Sequence, residues 1–274
     1  MIKRLTYSID ELIPYINWPY FDYAWGVGSK GRDERERLRG EARAMLREIS
    51  SAYCTHAVFG LFDANSRGDD IILYSETGPV VLPMLRQQQC RATHNLCLAD
   101  FVRPVAAGDE SVKDTVGVFA ATIDHAIEKD FTDDPYRRMM AQTLADRLAE
   151  ATAEKMHESV RKVWWGYARD EQLSIQQLHI EAFQGIRPAV GYPSMPDTSI
   201  NFIIADLLSV KDIGIRLTES GMMVPHASVS GLMIAHPQAR YFDLGKIGED
   251  QLRDYALRRG IPVEMCRRFL ASNL

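Results

Sequence analysis

The longest helical pattern in the chain begins at Pro135 and runs to about Tyr167. Along it, apolar or small side chains recur at every fourth position, at Met140, Leu144, Leu148, Thr152, Met156 and Val160. This spacing places them on one side of a helix, and such a stripe faces the core of a globular protein. The segment therefore predicts one long helix with an apolar stripe along one side.

Predicted strands occur both in clusters and between helices. Residues 57–62 and 71–74 predict a hairpin, and the polar connection 63–70 is longer than a tight turn. Further strands are predicted at residues 79–85, 115–123, 215–218, 230–235 and 241–244. Because the order lacks a regular βαβ alternation, we predict the α+β class, with a largely antiparallel, twisted sheet flanked by helices.

Other helices are predicted near both ends of the chain. A charge-rich helix begins near Asp33 as its N-cap, and a shorter one follows a cap at Asp197 or Thr198. Two helices separated by Gly260 close the chain. Residues 1–31 mix aromatic and turn residues and are expected to form an extended aromatic arm. No linker divides the sequence, so we expect residues 1–274 to form a single domain with this arm packed on it.

Charge and cysteine content exclude several classes of protein. The 274 residues contain 32 Lys+Arg and 37 Asp+Glu, a net charge of -5, which argues against a nucleic-acid binder. The cysteines Cys54, Cys90, Cys97 and Cys266 form no C-x-x-C pair, so we interpret them as free thiols rather than a zinc site. No apolar run fits a signal peptide or a membrane span, which predicts a cytoplasmic protein.

Common catalytic motifs are missing from the sequence. It contains no G-x-S-x-G, no phosphate-binding G-x-x-x-x-G-K-[ST] and no H-E-x-x-H. The glycine run at residues 25–31 does not follow a strand, so it is not a dinucleotide fingerprint.

Four acidic side chains stack at i, i+4 spacing on the long helix. They are Asp146, Glu150, Glu154 and Glu158. One interpretation is a solvated face relieved by the neighbouring cations Arg147, Lys155 and Arg161. The other is that one carboxylate faces a cationic ligand.

The proline-rich segment 184–196 predicts an ordered loop, because it has too many prolines for a helix or a central strand. Arg187 within it could bind a carboxylate bidentately, and the constrained backbone could face a planar base. Tyr192 is expected near the surface. The alternative is a rigid surface turn with Arg187 in a structural ion pair.

Three successive segments of the sequence are RLAEATAEKMHESVRKVWWGYA, IEAFQGIRPAVGYPSMPDT and LTESGMMVPHASVSGLMIAHPQARYF. In these segments the chain resembles the activation domain of cobalamin-dependent methionine synthase. The upstream segments YINWPYFDYAW, ANSRGDD and NLCLADFVRP resemble that family in the same order, so the resemblance runs from about Tyr15 to the end.

The resemblance implies a role in reactivation. Such a domain binds S-adenosylmethionine and presents its methyl group to oxidised cobalamin, held by a partner cobalamin-binding module rather than bound alone. A flavodoxin-type protein supplies an electron. The domain contributes positioning and electrostatics, and the cofactor supplies the chemistry.

The resemblance also implies which residues contact the ligand. Arg187 would hold its carboxylate, the backbone at Ala189 its adenine, and Tyr192 would lie beside the adenine. Glu150 and Glu181 match carboxylates near the amino and sulfonium groups.

Two further positions complete the implied set. Tyr241 matches a further contact residue. Asn17 stands where the family typically has aspartate, so it can accept a hydrogen bond from the amino group without adding negative charge.

The cobalamin module's D-x-H-x-x-G is absent from the sequence, so we expect a free-standing accessory subunit that acts in trans, without a complete catalytic site of its own. A segment cut from a longer enzyme is the alternative. Two other functions stay open: reactivation of a different corrinoid methyltransferase, and an interaction or sensor protein that kept the fold but lost productive ligand binding.

Overall fold

The computed structural model describes residues 1–29, 31–89, 94–105 and 112–274. Its strands are β1 (Ile2–Ser8), β2 (Cys54–Arg67), β3 (Asp70–Ser75), β4 (Gly78–Pro83), β5 (Asp114–Ile123), β6 (Arg216–Leu217), β7 (Met223–Val224) and β8 (Ser228–Met233). Within the described residues, six of them form one sheet in the order β4-β3-β2-β5-β8, with β1 also paired to β2. All its pairings are antiparallel, and β6 and β7 form a separate ribbon. The predicted α+β class with a largely antiparallel sheet is confirmed.

Strand β2 is the organising strand of the sheet. Its first half pairs with β1, its second half pairs with β3, and β5 pairs along its other edge. The predicted long loop at residues 63–70 is wrong, since β2 continues to Arg67 and turns at Gly68. The polar residues there fit inside a strand because the neighbouring segment satisfies them: Ser66 Oγ donates to the Val102 carbonyl at 2.8 Å, and Asn65 Nδ2 donates to the Arg103 carbonyl at 3.3 Å.

The helices flank this sheet. They are α1 (Ile9–Leu12), α2 (Trp18–Ala24), α3 (Arg32–Ile49), α4 (Pro135–Ser159), α5 (Ile175–His179), α6 (Ile200–Leu208), α7 (Glu249–Arg259) and α8 (Val263–Phe269). The Asp134 carboxylate caps α4 by accepting from the backbone N–H groups of Tyr136 and Arg137. A π-helical turn, Val160–Trp164, prolongs α4, so the long helix predicted from Pro135 is confirmed.

Several predicted boundaries are corrected. Helix α3 begins after Gly31, so Asp33 lies in its first turn and is not the N-cap. Helix α6 follows Ser199, and the Asp197 carboxylate accepts from the Ser199 N–H instead of capping the helix. The strand predicted at residues 241–244 does not form, because this segment bonds to a loop: the Leu244 N–H donates to the Pro193 carbonyl at 3.0 Å.

The N-terminal segment is not the extended arm expected for residues 1–31. Its first part is β1, an integral strand of the sheet, followed by α1 and α2. Ser8 ends β1 and starts α1 through a reciprocal capping box with Glu11. The aromatic residues that suggested an arm lie on α2 and around it, where Trp18 and Phe21 contact edge to face.

The core has two main clusters, one on each face of the sheet. Helices α1 to α4 cover the face that carries Phe59 and Ala121, and α6 covers the face that carries Val58 and Ala120. The alternation follows from the two-residue period of strands. Because β5 is covered on both sides, it is buried from residue 116 to 123.

Two smaller expectations concern the cysteines and membranes. Cys54, Cys97 and Cys266 are free thiols, whereas Cys90 lies outside the described residues. Every helix in the described ranges is too short or too polar to cross a lipid bilayer.

Candidate functional site

A cavity of about 620 Å³ opens between α4, the start of α2, the proline-rich loop and residues 241–243. All seven residues that the sequence analysis singled out line this one cavity. They are Asn17, Glu150, Glu181, Arg187, Ala189, Tyr192 and Tyr241. They come from distant parts of the chain, so their meeting is a result of the fold.

The proline-rich loop is held against the edge of β8 by backbone hydrogen bonds. The Val190 N–H donates to the Ser230 carbonyl at 2.9 Å, and the Leu232 N–H donates to the Pro188 carbonyl at 3.0 Å. Gly231 makes this approach possible, because a Cβ there would lie 2.1 Å from the Pro188 oxygen. The A-S-V-S-G segment and the loop are therefore parts of one structural unit.

This pairing also orients the backbone of Ala189. Ala189 lies opposite Gly231, and the bonds to β8 come from the residues on either side of it. In antiparallel pairing, the N–H and C=O groups of such a residue point away from the partner strand. Ala189 lines the cavity, so the loop can offer backbone donors and acceptors to a bound molecule.

The guanidinium of Arg187 is anchored on α4. It donates to the Glu154 carboxylate at 3.0 Å and to the Ala153 carbonyl at 3.1 Å. Only 12% of the Arg187 side chain and 10% of the Glu154 side chain are exposed. Burial lowers the pKa of Arg187, but Glu154, Tyr241 and Glu150 together raise it more, so the guanidinium stays charged.

The ion pair between Arg187 and Glu154 tests two predictions made from the sequence. Glu154 is buried, so the interpretation of its carboxylate as part of a solvated face is wrong. The structural ion pair that was the alternative for Arg187 does exist. It uses only part of a guanidinium that has five N–H donors, so Arg187 keeps donors for a ligand.

Tyr192 and Glu150 form a second pair across the cavity. The Tyr192 hydroxyl donates to the Glu150 carboxylate at 2.8 Å. Tyr192 is half exposed, which confirms its predicted position near the surface. Partial burial and the neighbouring Glu150 carboxylate raise the pKa of Tyr192, so its hydroxyl remains a donor.

Glu181 and Tyr241 also lie near Arg187. Glu181 adopts the left-handed backbone conformation at φ 57°, which is uncommon for a residue with a long side chain. Partial burial raises the pKa of the Glu181 carboxyl group, although Arg187 opposes this. Burial also raises the pKa of Tyr241 to about 12, and its hydroxyl accepts from the Arg187 backbone N–H.

The rest of the acidic row is compensated in part by the predicted cation Arg147, whose charge lowers the pKa of Asp146 against the effect of burial, and in part by groups that were not predicted. Asp146 lies 3.5 Å from His226, and Glu158 accepts a hydrogen bond from the Tyr15 hydroxyl at 2.6 Å. Arg161 does not relieve the row, because it is fully buried in an ion pair with Glu171 at 2.7 Å.

The charges around the cavity are mainly negative. Among the described lining residues there are four carboxylates and two guanidinium groups, from Glu150, Glu154, Glu181, Asp243, Arg147 and Arg187. This surplus suits a ligand with positive charge, and Arg187 adds a position for one negative group.

Some lining residues were missed. Glu154 and Arg147 lie one helical turn from Glu150, so helical spacing could have identified them. No comparable spacing in the sequence marks Tyr15 or His179 as lining residues. They meet only in the fold, where the ring Nε2 of His179 lies 3.0 Å from the Tyr15 carbonyl.

The family model described as "Vitamin B12 dependent methionine synthase, activation domain" matches residues 8–260. The chain belongs to this family. The crystal structure of the MetH reactivation domain bound to AdoHcy is similar to it, with a TM-score of 0.92 and 40% sequence identity. That likeness covers 100% of this chain and 90% of the other. The resemblance predicted from the sequence is therefore confirmed, and the fold is that of a methionine synthase activation domain.

Proposed function

We propose that this activation domain binds S-adenosylmethionine in the cavity and supports reductive methylation of cob(II)alamin to methylcobalamin on a partner. The observation that carries the proposal is that the seven ligand contacts implied by the resemblance line a single cavity. The similar reactivation domain binds AdoHcy, which is S-adenosylmethionine without its transferable methyl group.

The cavity is chemically suited to this ligand. Its volume of about 620 Å³ is in the range of small-molecule sites. S-adenosylmethionine carries two positive groups, an ammonium and a sulfonium, and one carboxylate, which matches a mainly acidic lining with an available arginine. The aligned backbone of Ala189 provides the polar edge that an adenine requires.

Each residue has a role in the proposal. Arg187 binds the ligand's carboxylate, and Ala189 binds the adenine through its backbone. Glu150 and Glu181 lie at the ammonium and sulfonium end, with Asn17 accepting from the ammonium. Tyr192 lies between the adenine and the mouth of the cavity, and Tyr241 supports the wall beside Arg187.

The chain's own contribution to the reaction is positioning. Fixed contacts from α4 and the loop hold the ligand so that its methyl group points out of the cavity, toward the acceptor. The carboxylates attract the cationic sulfonium and so strengthen binding of the ligand. When bound on its partner, the cobalamin supplies the metal-centred chemistry, and a flavodoxin-type protein supplies the electron.

The partner in this proposal is the cobalamin-binding module of a methionine synthase, to which the chain docks in trans in the cytoplasm. The family to which the chain belongs supports that choice of module. Reactivation of another corrinoid methyltransferase would use the same ligand and differ only in the partner.

Titration calorimetry with S-adenosylmethionine tests the ligand. We expect saturable binding at one site and a matching rise in the unfolding temperature. Glu150→Gln should weaken binding, whereas Glu48→Gln, on the distant exposed face of α3, should not. Absence of binding by the unchanged protein would favour the alternative of a sensor or interaction protein that has lost the ligand.

A further inference from the structure

Arg187 is fixed at both of its ends. Its backbone N–H donates to the Tyr241 hydroxyl at 2.8 Å, and the loop around it is bonded to β8. Its guanidinium donates to the Glu154 carboxylate at 3.0 Å and the Ala153 carbonyl at 3.1 Å. Two contacts from adjacent residues of one helix fix the plane of a guanidinium as well as its position.

The plane matters because a guanidinium binds a carboxylate through parallel N–H groups. A small rotation misdirects both hydrogen bonds to a ligand, even if the charge stays in the cavity. Where little water competes for the guanidinium, loss of these hydrogen bonds weakens ligand binding more than loss of a contact at the exposed surface does.

The Glu154 carboxylate is unusual for a purely structural group. Its Oε2 is bonded to Arg187, but its Oε1 is buried without a hydrogen-bond partner among the described residues. A buried ion pair contributes little to the stability of a protein, and it contributes even less when one carboxylate oxygen has no hydrogen-bond partner. This carboxylate has Arg187 as its one bonded partner in the described part of the chain, so orientation of Arg187 is the role that fits it.

We infer that Glu154 is a positioning residue that orients Arg187 for the carboxylate of the bound ligand. The inference rests on the proposed function. It predicts that the protein binds S-adenosylmethionine more tightly than decarboxylated S-adenosylmethionine, and that Glu154 determines the size of this difference in affinity. The distinction should be about 10- to 100-fold in affinity, the effect of one hydrogen-bonded charged contact.

Two variants separate position from charge. Glu154→Asp keeps the charge but withdraws the carboxylate by one methylene, so the Arg187 guanidinium keeps the Ala153 carbonyl and loses its other anchor. Glu154→Gln keeps the length and an amide oxygen that can accept from Arg187, but it removes the charge. Glu171→Asp is the matched control, because Glu171 is equally buried and pairs with Arg161 outside the cavity.

Calorimetry with both ligands gives the affinity ratio for each protein. We expect the ratio to fall about tenfold in Glu154→Asp, and to stay near the unchanged protein's value in Glu154→Gln and Glu171→Asp. Circular dichroism and unfolding curves establish that each variant is folded. If Glu154→Asp does not fold, two other variants test the inference. The affinity ratio should be retained in Glu154→Gln and lost in Glu154→Met.

Other outcomes overturn the inference. If Glu154→Asp weakens both ligands equally, Glu154 is structural, and if the ratio changes in Glu154→Gln but not in Glu154→Asp, it acts through charge alone. Equal binding of both ligands by the unchanged protein would refute the role of Arg187 while leaving the proposed function intact. Absence of any S-adenosylmethionine binding would contradict the proposed function itself.

Discussion

The hydroxyl of Tyr241 accepts a hydrogen bond from the backbone N–H of Arg187 at 2.8 Å. Residues 54 positions apart in the chain thus meet at the wall of the cavity. The contact joins the segment after β8 to the proline-rich loop, so it holds in place the part of the backbone from which Arg187 extends.

Tyr241→Phe should therefore weaken both the fold and the site. The substitution removes the acceptor and leaves the Arg187 N–H without it, at a cost of about 1 kcal/mol in the free energy of unfolding. Urea denaturation measures this cost, and calorimetry should show weaker binding of S-adenosylmethionine. Tyr23→Phe is the control, since Tyr23 is 84% exposed. Unchanged binding in Tyr241→Phe would show that the hydrogen bond does not support the site.

Gly231→Ala should displace the proline-rich loop. A Cβ at this position would lie 2.1 Å from the Pro188 oxygen and 2.9 Å from the Ala189 Cα, so the loop must move away from β8. We expect a loss of about 1–3 kcal/mol in the free energy of unfolding, typical of overpacking, and weak ligand binding.

Gly40→Ala is the matched control for this substitution. Gly40 lies in α3, and an added Cβ there has no atom within 4 Å. It should stabilise the protein by up to about 1 kcal/mol, because alanine favours helix more than glycine does. Normal binding by Gly231→Ala would mean that the loop is not held as the structure indicates.

Asn17→Asp should tighten binding of S-adenosylmethionine. Asn17 lines the cavity and precedes α2 without a side-chain cap of that helix. A carboxylate there would form a charge-assisted hydrogen bond to the ligand's ammonium, worth about 1 kcal/mol more than the neutral one. Calorimetry should therefore show severalfold higher affinity, and Asn17→Ala should show lower affinity. A loss or no change in Asn17→Asp would contradict this role.

Binding should depend on pH through Glu181. Burial raises the pKa of this carboxyl group in the folded protein above its unfolded value. The folded state therefore binds more protons between the two values, and stability falls as pH rises through that interval. A cationic ligand favours the ionised carboxylate, so binding should release protons there and affinity should rise with pH.

Calorimetry in two buffers of different ionisation enthalpy measures that proton release. Glu181→Gln should abolish it, because the amide does not titrate in this range. Proton release that persists in Glu181→Gln would assign it to another group, such as Asp146, whose pKa burial also raises.

Periodic segments were the predictable part of the fold. The stripe on α4 and the apolar runs of β4 and β5 identify their elements, because core positions are apolar at the helical period in a helix and in a continuous run in a strand that is covered on both faces. The prediction of a loop at the polar end of β2 was wrong, since its side chains donate to the carbonyls of Val102, Arg103 and Val112, partners that only the tertiary structure supplies.

The candidate site could be predicted only in part. Resemblance to a family identified Arg187 and the residues around it. The sequence does not show which carboxylate of the acidic row is buried, because that depends on a loop residue 33 positions away from Glu154. The spacing on α4 is the same for Glu150, Glu154 and Glu158, while their partners in the fold are different.

Absorbance spectroscopy of the cobalamin tests the central claim most directly. The protein is mixed with S-adenosylmethionine, a flavodoxin-type electron donor and a methionine synthase cobalamin module in the cob(II)alamin form. We predict that the spectrum of methylcobalamin develops, and that Arg187→Ala slows its appearance strongly at limiting ligand. Persistence of the cob(II)alamin spectrum with the unchanged protein, under conditions in which it binds S-adenosylmethionine, would contradict the proposed function.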